Sequence, residues 1–173
     1  FDRIMEKHGI EKIKTIGDAY MAAGGVPDPQ HGSPADAVRA ALEMQDFMKK
    51  HKAQREEAGK PYFEMRVGIH TGPVVAGIVG VKKFQYDIWG DTVNTASRME
   101  SSGQVGQVNI SEATYALVKD AVVGSQLLVA RKGDGSQTAD NRQPTAKAFT
   151  FTPRGKVQAK GKGEMEMFFV EIA

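Results

Sequence analysis

The sequence predicts an α+β fold, with a mixed, largely antiparallel sheet and flanking helices. Three observations predict it. Short stretches alternate apolar and polar residues, FEMRVGIH at 63–70 most cleanly. Segments with helical apolar spacing are interspersed among them without strict strand–helix succession. Neighbouring strands are separated by turns as short as Gly17-Asp18, which makes hairpins.

Taken in order, residues 1–9 read as the last turns of a helix. Ile4 and Met5 are apolar, Lys7 and His8 suit the negative end of the helix dipole, and Gly9 stops it. A helix without a beginning implies that the chain starts inside an element. Strands follow at 10–16 and 19–23, then a glycine- and proline-rich loop. Ser33 caps the next helix with Pro34 at its first position. Val38, Ala41, Leu42 and Met48 recur on one face, widened by Met44 and Phe47, to about residue 52, and a charged tail runs on to Gly59. Strands are expected at 63–69, 74–80 and 84–89, with Gly77 marking a close backbone approach. Asp91 is the expected N-cap of a helix to about residue 101, and Ser111 that of a helix at 112–119. Residues 124–145 are polar, glycine-containing and aperiodic, and read as a flexible insertion. Strand character restarts at Phe149 and Phe151 and returns at 165–172.

The length of 173 residues suits one domain. With 40% apolar and 25% charged residues the chain has the makings of a soluble globular protein. A net charge of +2 gives no argument for nucleic acid as a partner. The absence of cysteine removes disulfide, thiolate and zinc–thiolate chemistry and is consistent with a reducing cytoplasmic setting. No apolar run approaches the roughly 20 residues of a membrane helix.

Several residues could carry chemistry. Asn94 and Arg98 are four apart and share a helix face. An arginine fork matches phosphate oxygens, yet an exposed polar pair gives the same spacing. Asp87 stands in an aromatic strand beside Trp89, where it is either paired or turned to water. Lys14 reads as part of a solvated strand face. Lys160 and Lys162 sit in KGKG, a basic glycine turn able to approach an anion. Asp18, on spacing alone, is a turn residue. His70 lacks a second ligand at metal spacing, and the four histidines read as structural.

Together, KIKTIGDAYMAAGG, FEMRVGIHTGPVVAGIVG, FQYDIWGDTVNTASRMESSG and RGKVQAKGKGEMEMFFVEI closely resemble the catalytic domain of class III nucleotide cyclases. The match covers nearly the whole chain apart from the insertion. The resemblance implies that family's ferredoxin-like fold and one catalytic domain over residues 1–173, truncated at its N-terminus. It implies attack of a nucleoside triphosphate's 3′-hydroxyl on its own α-phosphorus, with pyrophosphate released. Two divalent ions, Mg²⁺ or Mn²⁺, assist, held by two aspartates. Asp18 matches the second, and the first belongs to a strand upstream of this sequence.

By the same resemblance Arg98 stabilises charge on the transferred phosphorus, Asn94 orients the ribose and Lys160 holds the terminal phosphates. Lys14 and Asp87 match the pair that reads the base. Lysine donates to adenine N1 and aspartate accepts from its amine, whereas guanine reverses both roles. Guanylyl members usually have Glu and Cys there, so the expected substrate is ATP and the expected product cyclic AMP. Because this chain carries both sets of positions, a homodimer with composite sites is implied. In the family such domains are often the cytosolic part of a larger sensor or membrane protein. The alternatives are a guanylyl cyclase and a non-catalytic homology domain that regulates a partner. The absence of a GGDEF-like hairpin argues against a diguanylate cyclase.

Overall fold

The computed structural model describes residues 1–123 and 147–173. The segment 124–145, read as an insertion, lies outside the described residues. The elements are α1 (Asp2–Lys7), β1 (Glu11–Ile16), β2 (Ala19–Ala23), α2 (Pro34–Glu57), β3 (Val67–Ile69), β4 (Val75–Val79), β5 (Gln85–Trp89), α3 (Asp91–Ser101), β6 (Val108–Ser111), α4 (Glu112–Val118), β7 (Val122–Val123), β8 (Lys147–Ala159) and β9 (Gly163–Ile172). Five strands form one sheet in the order β3-β6-β9-β8-β7, and β1-β2 and β4-β5 form separate two-stranded ribbons. Only β3 and β6 pair in parallel, so the sheet is mixed and largely antiparallel, as the sequence predicts.

Alternation along β9 divides the core. Phe168 and Val170 pack with Val38 and Ala41 of α2, Val118 of α4, Val108 and Ile110 of β6, and Phe149 of β8. Tyr115 of α4 stacks on Phe168 at 4.1 Å between ring centroids. Met167 faces the other way, onto Met99 of α3 and Ala159. Helices therefore cover both faces of the sheet, α2 and α4 on the first and, among the described residues, α3 on the second. A third cluster, Met5, Ile10, Ala40 and Met44, ties α1 and the start of β1 to α2.

The placement of α3 is fixed on three sides. At Gly68 of β3 a Cβ would lie 2.0 Å from the Glu100 backbone nitrogen, so only glycine lets helix and strand approach. Asn109 donates to the Met99 carbonyl at 2.8 Å. Arg154, the extra residue in a bulge of β8, donates to the Ser102 carbonyl at 2.8 Å and to Asn109 Oδ1 at 3.1 Å. Burial lowers the Arg154 pKa from its ordinary value, but these acceptors and the Phe169 ring 4.4 Å away hold the cation in place.

Four expectations change. The strand expected from residue 63 begins only at Val67, because the Met65 carbonyl accepts from the Gln45 side chain and the Gly106 N–H, and Phe63 is exposed. Helix α2 continues through the charged tail to Glu57, aided by Lys50–Asp46 and Lys52–Glu56 ion pairs one turn apart. Gly90, at φ 136°, is the N-cap of α3 in place of Asp91. Gly77 admits no close backbone approach, since a Cβ there would meet only the Trp89 ring, at 3.7 Å.

Candidate active site

The site begins with an irregularity in a hairpin. In β1, Lys12 pairs with Ala22 and Lys14 with Met21, so Ile13 is an extra residue. Such a bulge breaks the two-residue alternation and re-aims side chains. Ile13 is buried, Lys12 turns to Asp2 at 3.1 Å, and Lys14 turns to Asp87. Without the bulge the two lysines would share one face.

Asp87 lies in β5 opposite Gly77 of β4 and is 7% exposed. Lys14 Nζ donates to its Oδ2 at 2.6 Å, and the Ile88 N–H donates to its Oδ1 at 2.9 Å. The Lys14 hydrogen bond, against some burial and with the help of the backbone donor, holds the Asp87 carboxyl below the usual carboxylate range. Of the two readings open in the sequence, paired or solvated, the pair is the one realised. The solvated-face reading of Lys14 is corrected for the same reason.

Beside this pair is a cavity of about 310 Å³. Lys14, Ile16 and Met21 line it from the hairpin, Ile88 and Trp89 from β5, and Val93 and Asn94 from α3. Most of its lining residues are apolar, with the Lys14 ammonium and the Asn94 amide as its polar groups, the composition expected of a small-ligand site. A larger cavity, about 650 Å³, opens between α1, Tyr20 and Phe47 and contains none of the candidate residues.

Arg98 lies one turn beyond Asn94 on α3, and among the described residues no side chain or carbonyl receives its guanidinium. Lys160 and Lys162 belong to the turn between β8 and β9, which closes at the Ala159–Gly163 pair. Lys160 is exposed, whereas Lys162 makes an ion pair with Asp91 in the first turn of α3. This pair holds the Asp91 carboxyl low. His70, just past β3, shares a 2.7 Å hydrogen bond between Nδ1 and Ser111 Oγ, and burial lowers its pKa. Asp18 stands exposed at the β1–β2 tip, after Gly17 at φ 61°.

The fold thus brings Lys14 and Asn94 to one cavity, with Asp87 bonded to Lys14 behind it. It places Lys160 on a turn tied to the helix of Asn94 and Arg98. No hydrogen bond or ion pair among the described residues joins the Asp18 side chain to them. Sequence reasoning missed the apolar lining and the Asp91–Lys162 pair. The KGKG string and the acidic first turn of α3 were visible, but nothing in either names the other as partner.

The family model for "Adenylate and Guanylate cyclase catalytic domain" matches residues 1–172. The chain belongs to this family. An adenylate cyclase from Mycobacterium bovis is 37% identical over 170 residues, 98% of this chain and 31% of that protein. The guanylate cyclase soluble subunit beta-2 of Rattus norvegicus is 38% identical, over 98% of this chain and 21% of that protein. The chain therefore spans about a third or less of the length of these relatives. Among solved structures, the guanylate cyclase domain of RhGC from Catenaria anguillulae in complex with GTP superposes with a TM-score of 0.73 at 31% identity, over 99% of this chain and 77% of that one. The cyclase resemblance and the fold class are borne out. Relatives named for either purine stand at nearly equal identity. No helix among the described residues is long and apolar enough to cross a membrane.

Proposed function

We propose that this chain is one catalytic domain of an adenylyl cyclase, converting ATP to 3′,5′-cyclic AMP and pyrophosphate. The observation that carries the reading is the Lys14–Asp87 pair at the edge of the 310 Å³ cavity. Lysine offers only donors and an ionised aspartate only acceptors. Asp87 is kept ionised by Lys14, so it accepts from the adenine amine while Lys14 donates to N1. Guanine would set its N1–H against Lys14 and its O6 against Asp87, leaving both groups facing partners of their own kind.

In the reaction a bond forms between the 3′-oxygen and the α-phosphorus. The bond from that phosphorus to the bridging oxygen breaks, pyrophosphate leaves, and the 3′-hydroxyl proton passes to water. Arg98, with no partner among the described residues, is available to the α-phosphoryl oxygens where charge develops. Asn94, at the cavity edge, positions the ribose, and Lys160 holds the terminal phosphates. Asp18 is one exposed carboxylate. No cluster of three or more metal-ligating side chains occurs among the described residues. That suits a magnesium-type ion, which is commonly held by one or two carboxylates together with substrate phosphates and water. Asp18 would hold such an ion, which supplies Lewis-acid polarisation of the phosphate oxygens.

The β4–β5 ribbon supports a homodimer. Val75, Ile78 and Val79 are exposed on β4 and Val81 and Phe84 on the segment that joins it to β5, with Ile78 at 71% and Phe84 at 77%. An isolated two-stranded ribbon with an uncovered apolar surface calls for a partner, and a two-fold pair is the commonest solution. A second copy would complete each site. The same reading implies a cytoplasmic location, where ATP is available.

The test is a product assay with ATP or GTP and Mn²⁺, resolved by chromatography. Cyclic AMP from wild type, lost in Arg98→Ala, is the expected result. Cyclic GMP as the main product would overturn the base-reading argument. No product from a chain that still self-associates would favour a regulatory homology domain.

A further inference from the structure

The ion pair between Lys162 and Asp91 has no part in the reaction as proposed. As a surface pair it contributes little to stability. Its location is more informative than its strength. Asp91, Asn94 and Arg98 fall at positions i, i+3 and i+7 of α3, so they form one stripe with Asp91 at its head. Lys160 and Lys162 share a three-residue turn bounded by Ala159 and Gly163. Its glycines, Gly161 and Gly163, adopt φ of 76° and 74°, and a Cβ added at either would meet no atom within 4 Å. The backbone of the turn is closed by the Ala159–Gly163 pair and by the Lys162 N–H donating to the Ala159 carbonyl at 2.9 Å, and no side chain packs over the two glycines. The turn is held from below by Ala159, which packs on Met99 and Met167, and from above by Lys162. The Lys162 side chain is 22% exposed, folded back onto α3, while Lys160 stays exposed. Asp91 is free to receive it because Gly90 takes the N-cap position and no side-chain cap bond forms.

We propose that Asp91 and Lys162 are positioning residues: their ion pair fixes the Lys160–Lys162 turn at the head of the Asn94–Arg98 stripe and so sets affinity for the triphosphate tail. This rests on the cyclase reading. The two lysines of KGKG then have different tasks. Lys162 is neutralised by Asp91 and is not a phosphate ligand, and Lys160 is left to meet the phosphates. A lysine already paired with a carboxylate is a poor anion receptor, and a glycine turn without a tether would spend its binding energy on ordering.

The test is steady-state kinetics and pyrophosphate inhibition of the intact protein, for Asp91→Asn, Lys162→Met, the double variant, and the exchange Asp91→Lys with Lys162→Asp. Either single change is expected to raise KM and the pyrophosphate inhibition constant roughly tenfold. The double variant should be no worse than either single one, and the exchange should recover most of the loss. The value of kcat and the ATP-to-GTP preference should hold within about threefold, which a merely structural defect would not respect. Weaker pyrophosphate binding in Lys162→Met but not in Asp91→Asn would overturn the proposal and make Lys162 a direct phosphate ligand. A parallel fall of kcat, KM and melting temperature in all variants would reduce the pair to a structural tie. Singles indistinguishable from an active wild type would also overturn it. A wild type that neither turns over a nucleotide nor binds pyrophosphate would instead refute the cyclase reading, and this inference with it.

Discussion

The two ends of the candidate site are built on opposite principles. At the purine end Lys14 and Asp87 are already joined, at 2.6 Å, beside apolar walls. At the phosphate end Asp18 and Lys160 are exposed, and Arg98 has no partner among the described residues. The first end is a preformed pattern of one donor and one acceptor, complete within one chain. The second is a set of groups without partners among the described residues, which on the proposed reading meet the nucleotide. On that reading, selectivity would be stored in the fold and rate assembled on binding. Changes at the two ends should therefore fail differently.

The largest effect is expected at the phosphate end. Arg98→Ala should lower kcat by about 10²–10³-fold, the scale found when a preorganised charge-stabilising donor is removed. The melting temperature should hardly move, because no hydrogen bond or ion pair among the described residues is lost. A variant that loses stability together with rate would erase the contrast. At the purine end, Lys14→Glu with Asp87→Cys should exchange the hydrogen-bonding pattern. It should move the ATP-to-GTP ratio of kcat/KM by about 10²-fold or more. Asp87→Ala alone should be worse for ATP than the double change is for GTP, since it leaves Lys14 beside an apolar cavity without its partner. Equal use of both purines by wild type would remove the basis of the comparison.

How much of this was legible in the sequence differs between the ends as well. The α+β class, the hairpin at Gly17-Asp18 and the capped helices starting at Pro34 and Glu112 follow from short-range chemistry, and the structure has them. The Asn94–Arg98 face follows from helical spacing alone. The Lys14–Asp87 pair spans 73 positions and depends on a bulge at Ile13. Strand alternation cannot foresee a bulge, and only the family resemblance put these two residues together. The late start of β3 was illegible for a related reason. The alternation of residues 63–69 is real, but the Gln45 side chain and the Gly106 N–H, distant in sequence, take up the Met65 carbonyl. Asp91 reads as a cap because acidic residues favour first turns. The choice between capping its own helix and binding Lys162 lies 71 residues away.

A smaller effect should come from the β4–β5 ribbon. Ile78→Asp with Phe84→Asp places charge on the exposed apolar surface and should weaken self-association by roughly tenfold or more, read by sedimentation. If the two ends are organised as argued, the separated chain should lose turnover yet keep its purine pocket. Trp89 is the single tryptophan and lines that pocket, so its fluorescence reports nucleobase binding directly. Loss of the fluorescence response on dissociation would mean that the pocket, too, needs the second copy.

The smallest effect expected is a pH dependence that belongs to neither end. His70 bonds Ser111 through Nδ1 and is half-buried, and the charges that face it are Asp91 and Lys162. Burial lowers its pKa from the ordinary 6.5, with Lys162 acting in the same direction and Asp91 against it. The unfolded chain therefore binds a proton at His70 at a higher pH than the folded chain does. Stability contributed by the neutral ring is complete above 6.5 and declines as the pH falls from 6.5 toward the lower folded value. His70→Asn keeps a group able to reach Ser111 and removes the titration. Melting temperatures measured from about pH 7.5 down to about 5 should fall more steeply for wild type than for this variant, with the curves meeting at the alkaline end. The asparagine variant should also leave the ATP-to-GTP preference unchanged, since His70 lines neither the cavity nor the Lys14–Asp87 pair. Parallel curves would mean that the ring is solvated in both states and that the Ser111 bond does not depend on a neutral imidazole.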